Sequence, residues 1–77
     1  MTTTTRTEWW DADNRLVQCP GEALAIFSDG PHAGWRTVTC RGDHPPLMVE
    51  ITGRGQRTAK YRRDDSMPKL TYRVVIA

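Results

Sequence analysis

Apolar residues recur along most of this chain in short runs with a period of two. Between positions 47 and 52, Leu47, Val49 and Ile51 alternate with other residues, and the segment 70–76 shows the same alternation. That period is typical of a β-strand with one buried face. Five strands are predicted, at about residues 23–28, 35–40, 47–52, 58–63 and 70–76.

Turn-forming residues separate these runs. The segment Asp29–Gly34 holds two glycines and a proline, which cannot continue a helix or a central strand, so the chain must reverse there. His32 lies within this turn and is expected to be exposed. The other turn signals are Arg41-Gly42-Asp43, Gly53-Arg54-Gly55 and Asp64-Asp65-Ser66.

The number and length of the strands indicate the fold class. Five short strands without a convincing amphipathic helix favour an all-β fold, a small five-stranded SH3-like or OB-like barrel. Closure of such a barrel would remove the exposed edges of a flat sheet. Residues 1–8, which are polar and Thr-rich, are predicted to be a disordered tail, and residues 9–77 a single domain.

Length and the N-terminal sequence narrow the functional classes. A chain of 77 residues buries only about 60% of its unfolded surface, which leaves little room for a deep enclosed active site. No apolar run approaches a membrane span, and the first residues lack the apolar core of a signal peptide. We therefore expect a cytoplasmic protein, in a bacterial host or in a virion if it is a phage component.

The two cysteines have three interpretations. A reducing cytoplasm favours Cys19 and Cys40 as free thiols. A disulfide between them is possible if they lie on neighbouring strands. Together with His32 and His44 they also supply four side chains that could bind zinc, although the spacings lack the close ligand pairs of known zinc motifs. No cofactor is expected.

Three tryptophans are unusual for so small a core. Trp9 and Trp10 are adjacent, so in an extended segment they point to opposite faces and only one is expected to be buried. The exposed one, with Trp35, would be an apolar anchor for a partner. The alternative is that one tryptophan plugs the barrel and the other covers an end.

Positive charge is concentrated in the second half of the chain. The net charge is +2 overall, with −2 in residues 1–38 and +4 in residues 39–77. Guanidinium groups pair with phosphates and a tyrosine can stack on a base, so this region is a candidate nucleic-acid surface. Its members are Arg54, Arg57, Lys60, Tyr61, Arg62 and Arg63. The alternative is a solvated hairpin whose charges protect an edge strand.

The order of features resembles a known group of small proteins. An apolar strand runs into Gly30-Pro31-x-x-Gly34, Pro45-Pro46 precede the third strand, and Tyr72-Arg73 lie near the C-terminus. This order resembles uncharacterised actinobacterial and actinobacteriophage proteins with a Gly-Gly-Pro-x-x-Gly turn and a late Tyr-Arg-Tyr strand. Asp29 and Val74 depart from that pattern. The resemblance implies a phage-related or actinobacterial origin and no particular activity.

The sequence holds no catalytic motif, neither a nucleophile elbow nor a phosphate-binding loop. We therefore predict a non-enzymatic protein-interaction module, a phage-related accessory acting in the virion, in assembly or against the host. Its partner is another protein or a second copy. The predicted contact residues are Trp9, Trp10, Trp35, Arg62 and Arg63. The alternative is a nucleic-acid-binding barrel that uses the basic hairpin at 54–63.

Overall fold

The computed structural model of the protein describes residues 8–53, 55 and 57–76. Its five strands confirm the all-β fold class, and each strand boundary lies within one residue of the predicted one. They are β1 (Glu22–Phe27), β2 (Gly34–Thr39), β3 (Met48–Ile51), β4 (Ala59–Arg63) and β5 (Thr71–Ile76). Of the predicted tail, residues 1–7 lie outside the described part of the chain, and Glu8 is exposed.

The strands form one curled sheet in the order β2-β1-β5-β4-β3. Three of the four pairings are antiparallel, and the β1–β5 pairing is parallel. The sheet is a half-barrel, because β2 and β3 remain as its two edges. The expectation that closure removes the edges is therefore wrong for these two strands.

The inner face of the sheet carries the core. Ala23, Ala25 and Phe27 alternate inward along β1, and Tyr61 and Tyr72 do so on β4 and β5. The centre of the Phe27 ring lies 5.0 Å from that of Tyr72, in a stacked arrangement, and 4.8 Å from that of Tyr61, in an edge-to-face arrangement. Small alanines beside large aromatic rings allow the sheet to curl tightly around these three side chains.

A short N-terminal hairpin completes the sheet beside the start of β5. Its turn is capped by Asp11, whose carboxylate accepts the backbone N–H groups of Asp13 and Arg15. The Trp10 N–H donates to the carbonyl of Pro68, and the Leu70 N–H donates to the carbonyl of Trp10. These bonds hold the two tryptophans against the sheet.

The turn between β1 and β2 packs on Tyr61 of β4 and Val74 of β5. The Tyr61 hydroxyl donates to the Asp29 carbonyl at 2.9 Å and accepts the His32 N–H at 3.0 Å. The Asp29 carboxylate accepts the Val74 N–H at 2.8 Å. Gly30 has a φ of +79°, a conformation that favours glycine. The predicted chain reversal is thus confirmed, and hydrogen bonds join it to β4 and β5.

Cys19 and Cys40 form a disulfide that ties the segment before β1 to the end of β2. The expectation of free thiols is therefore wrong. Cys40 follows Val38 on the inner face and is buried, and its N–H donates to the carbonyl of Gly21 at 2.7 Å. That backbone bond brings the two segments together. Within the described residues there is no helix that could span a membrane.

Candidate functional site: the open seam between β2 and β3

The two edge strands face each other across an open seam. The Cys40 N–H donates to the carbonyl of Gly21, just before β1, so the backbone groups of Cys40 point towards β1. Since antiparallel ladders alternate, the backbone groups of Arg36 and Val38 also point to β1. The N–H and C=O groups of Trp35, Thr37 and Thr39 therefore point away from β1, into the seam.

The same alternation fixes the opposite edge. The Arg63 N–H donates to the Leu47 carbonyl at 2.8 Å, so Val49 and Ile51 also direct their backbone groups to β4. The groups of Met48 and Glu50 then point into the seam. β3 and β5 are both antiparallel to β4, and β5 is parallel to β1, so β3, β5 and β1 run in the same direction. β2 is antiparallel to β1 and therefore runs in the opposite direction. The two edges are therefore antiparallel to each other.

A groove of about 840 Å³ lies between these edges. Its floor is the inner face of the sheet. Val38 on β2 and Cys40, directly after β2, line one side of this floor, and Val49 and Ile51 on β3 line the other. Trp35 and Met48 lie at its rim and are exposed. In the described part of the chain, the seam thus combines backbone groups that lack a partner strand with an apolar floor, which are the two features that an added strand uses.

Arg36 gives one end of the groove a positive charge. It lies opposite Ala25, which is fully buried, so its side chain starts on the inner face. Its Nε donates to the His32 carbonyl at 3.1 Å, which holds the guanidinium at the end near the β1–β2 turn. Among the residues that the structure describes, no carboxylate forms an ion pair with Arg36.

The adjacent tryptophans divide as predicted, one inside and one outside. Trp9 is 3% exposed and belongs to the core, while Trp10 is 40% exposed. The Arg63 guanidinium lies 4.5 Å from the centre of the Trp9 ring, and His44 meets its edge at 6.1 Å. Trp9 is therefore the plug, and its assignment as a partner anchor is wrong because no surface of the ring remains for a partner.

Trp10 and Trp35 lie on the outer face of the sheet. Trp35 is 54% exposed and is paired with Ile26, whose neighbours Ala25 and Phe27 point inward. Trp10 forms isolated β-bridges with Leu16 and with Lys69. Both tryptophans are exposed, and their role as partner anchors stays a prediction.

The basic candidates separate into exposed and occupied residues. Arg57, Lys60 and Arg62 are exposed. Arg63 is held by Asp65 at 2.7 Å and by the Pro45 carbonyl at 2.6 Å, with its side chain only 12% exposed. It therefore supports Trp9 rather than forming the polar rim that was predicted.

Tyr61 is fully buried beneath the β1–β2 turn. Its ring cannot stack on a base, so its predicted role in nucleic-acid binding is wrong; the alternation of β4 directs it inward with Ala59. Arg54 lies outside the described residues. What remains of the predicted surface is its positive charge, at Arg57, Lys60 and Arg62, beside Arg73 on the neighbouring strand.

The zinc candidates do not come together. Cys19 and Cys40 are bonded to each other, so neither supplies a thiolate. No group of three potential metal ligands occurs within residues 8–53, 55 and 57–76. His44 is exposed next to Asp43. His32, expected to be exposed, is instead buried under the turn, because its backbone N–H is held by the Tyr61 hydroxyl.

Arg73 on β5 forms an ion pair with Asp64. Hydrogen bonds from Arg73 and then Ser66 lower the pKa of Asp64 to about 2. The same carboxylate raises the pKa of Arg73. Burial raises the pKa of Tyr72, whose hydroxyl donates to the Pro46 carbonyl at 2.6 Å.

The seam was not found from the sequence, although β2 carried a signal. Its six residues include only two large apolar side chains, Trp35 and Val38, and strand alternation places these two on opposite faces. A strand without an apolar stripe is typical of a sheet edge. That both edges face one groove follows from the sheet order, which the sequence does not display.

Comparisons with known proteins add no relative. No family model matches the chain, and the searches of curated proteins and of solved structures also found no match. The resemblance to actinobacterial and phage proteins therefore stays a prediction. What identifies this chain is its architecture, a five-stranded half-barrel with an open, apolar-floored seam.

Proposed function

We propose that this protein is a non-enzymatic interaction module that takes an extended segment of another protein into the seam between β2 and β3. The observation that carries the proposal is the pair of facing edges, at which Trp35, Thr37 and Thr39 oppose Met48 and Glu50 across an open groove. A strand placed there would pair with both edges.

Two kinds of contact would stabilise such a complex. Backbone hydrogen bonds to the two edges supply affinity without regard to sequence. Alternate side chains of the bound segment would cover Val49 and Ile51, which are only half-buried at the floor of the open groove. Trp35, at the rim, would lie against one flank of the bound segment, in keeping with its predicted role as an anchor.

A peptide-display selection tests this proposal. The purified domain is screened against a library of random ten-residue peptides, and the selected peptides are titrated into 15N-labelled protein. Binding in the seam should shift the amide signals of Trp35, Thr37 and Thr39 and protect them from hydrogen exchange. If the library yields no peptide that perturbs these amides, the proposal is overturned.

A proline substitution separates pairing at the edge from other contacts. Thr37→Pro removes an N–H that points into the seam and leaves the β1–β2 bonds in place, so the fold should persist and peptide binding should be lost. Thr37→Val is the matched control, since it keeps the N–H and should bind as the wild type does. Thr39→Pro is the second variant if Thr37→Pro does not fold.

Self-association is the competing occupant of the seam. Sedimentation velocity at 10 and 100 µM distinguishes self-association from binding of another protein. A dimer that is lost in Thr37→Pro would mean that a second copy occupies the seam, and would overturn the proposal that the seam binds another protein. A monomer at both concentrations is the expected result.

The nucleic-acid alternative rests on the exposed cations Arg57, Lys60 and Arg62. Gel shifts with single- and double-stranded DNA and RNA at low and high salt test it, since phosphate contacts give a steep salt dependence. We expect no specific complex, because no exposed aromatic ring lies among these cations within the described residues. Binding that is lost in Lys60→Gln and Arg62→Gln variants would favour the alternative.

The setting implied by the resemblance is that of a phage accessory, in the virion, in assembly or against the host. The Cys19–Cys40 bond supports the virion among these, because disulfides persist on virion surfaces and are rare in a reducing cytoplasm. The identity of the neighbouring genes tests this part of the proposal.

A further inference from the structure

The seam has a polarity that constrains what it can bind. Within the described residues, β2 presents three residues whose backbone groups have no partner strand, Trp35, Thr37 and Thr39, whereas β3 presents two, Met48 and Glu50. Because β2 and β3 are antiparallel to each other, a strand between them is antiparallel to one and parallel to the other. Antiparallel pairing is the more stable per residue, so the longer edge should fix the direction.

A segment antiparallel to β2 begins near Thr39 and Cys40 and ends near Arg36. Its inward side chains then lie in turn over Cys40, Val38 and Arg36, which alternate along the inner face of β2. The first two positions are apolar, with Val49 and Ile51 across the groove. The third is a guanidinium whose Nε is held by the His32 carbonyl and which has no carboxylate partner in the described chain.

We infer that the seam binds an extended peptide that runs antiparallel to β2 and has the inward pattern apolar, apolar, acidic, with the carboxylate at its C-terminal end over Arg36. This inference rests on the proposed function and names the chemistry and direction of its partner. The guanidinium of an arginine can bind a carboxylate through two parallel hydrogen bonds. In an extended peptide, only side chains on the same face as the two apolar residues point inward, so the acidic residue must lie on that face to reach Arg36.

Three synthetic peptides test the inference, each acetylated and amidated. The first is Ser-Val-Thr-Val-Thr-Glu-Thr, in which both valines and the glutamate share one face. The second has glutamine in place of glutamate, and the third is the first sequence reversed. Affinity is measured by isothermal titration and by the amide shifts of Trp35, Thr37 and Thr39.

The first peptide should bind about three- to tenfold more tightly than either of the others. Arg36→Gln should remove the difference between the glutamate and glutamine peptides. Arg41→Gln is the matched control, because Arg41 lies at the opposite end of the groove, and it should preserve the difference. Added salt should reduce the preference and leave the glutamine peptide little changed.

The outcomes separate this inference from the function on which it rests. Equal binding of the three peptides, or display-selected peptides that lie in the seam without an acidic residue over Arg36, overturns the inference and leaves the strand-binding function standing. A preference for glutamate that survives Arg36→Gln also overturns it. Absence of any seam-binding peptide in the display selection overturns both.

Discussion

A Cβ atom placed on Gly30 would lie 2.6 Å from the hydroxyl oxygen of Tyr61. That hydroxyl is fixed by two backbone groups of the same turn, the carbonyl of Asp29 and the N–H of His32. The β1–β2 turn and the core of β4 are therefore fitted to each other through a position where only glycine leaves room.

Gly30→Ala should destabilise the fold strongly. The methyl group would clash with the Tyr61 hydroxyl and with Val74, and the φ of +79° is itself unfavourable for alanine. We expect a loss of about 2–4 kcal/mol in urea unfolding.

Gly42→Ala is the control for that loss. It shares a positive φ of +61° but has open space around the added methyl, so it should cost only about 1 kcal/mol. Equal losses at the two glycines would contradict the close approach at residue 30. Adding Tyr61→Phe to Gly30→Ala should recover part of the loss, giving a non-additive pair.

Trp9→Ala and Trp10→Ala should separate stability from surface function. Trp9 is buried under Arg63, so its removal should cost about 3–5 kcal/mol and lower the thermal midpoint sharply. Trp10 is exposed on the outer face, so its removal should cost about 1 kcal/mol or less. Calorimetry of both variants checks this, and a collapse of the transition in Trp10→Ala would show that it is part of the core.

Reduction of the Cys19–Cys40 disulfide should lower stability. The bond joins residues 21 positions apart, and opening a loop of that size costs about 3 kcal/mol through the entropy of the unfolded chain. Urea unfolding with and without a reductant measures the effect. The double variant Cys19→Ala, Cys40→Ala should be insensitive to the reductant, and a wild-type midpoint unchanged by reduction would contradict the prediction.

Stability should fall with acid through Asp64. Its pKa is about 2 in the folded protein, below the ordinary value of 3.8, mainly because Arg73 donates a hydrogen bond to it. A carboxylate with a lowered pKa stabilises the fold above the unfolded value and loses that contribution as the pH falls from about 4 to 2. Urea unfolding at several pH values should show this slope.

Asp64→Asn is the variant that isolates this slope. It should be less stable than the wild type at pH 7, and the difference should shrink below pH 4. Asp13→Asn, which leaves the Arg73 contact intact, should reproduce the wild-type profile. A difference between wild type and Asp64→Asn that stays constant down to pH 2 would exclude the Arg73 contact as its source.

Much of the fold could be predicted from local pattern. The alternation in segments 47–52 and 70–76 located β3 and β5, and the two adjacent tryptophans required opposite environments. The interpretation of Tyr61 as a surface residue was wrong because the basic residues on either side of it hid a strand alternation that turns it inward. The expectation of free thiols was wrong because it rested on the presumed compartment, whereas Cys19 and Cys40 are brought together by pairing between the Gly21 carbonyl and the Cys40 N–H.

The sequence by itself determined where the strands and turns lie, because side-chain periodicity and the backbone limits of glycine and proline act over a few residues. It also determined that Gly30 lies in a sharp reversal. Only the tertiary structure decided that Gly30 is fitted against Tyr61, that Cys19 meets Cys40, and that β2 and β3 face each other across an open groove. These relations join residues far apart in the chain, and they depend on the order and curvature of the whole sheet, which no local pattern encodes.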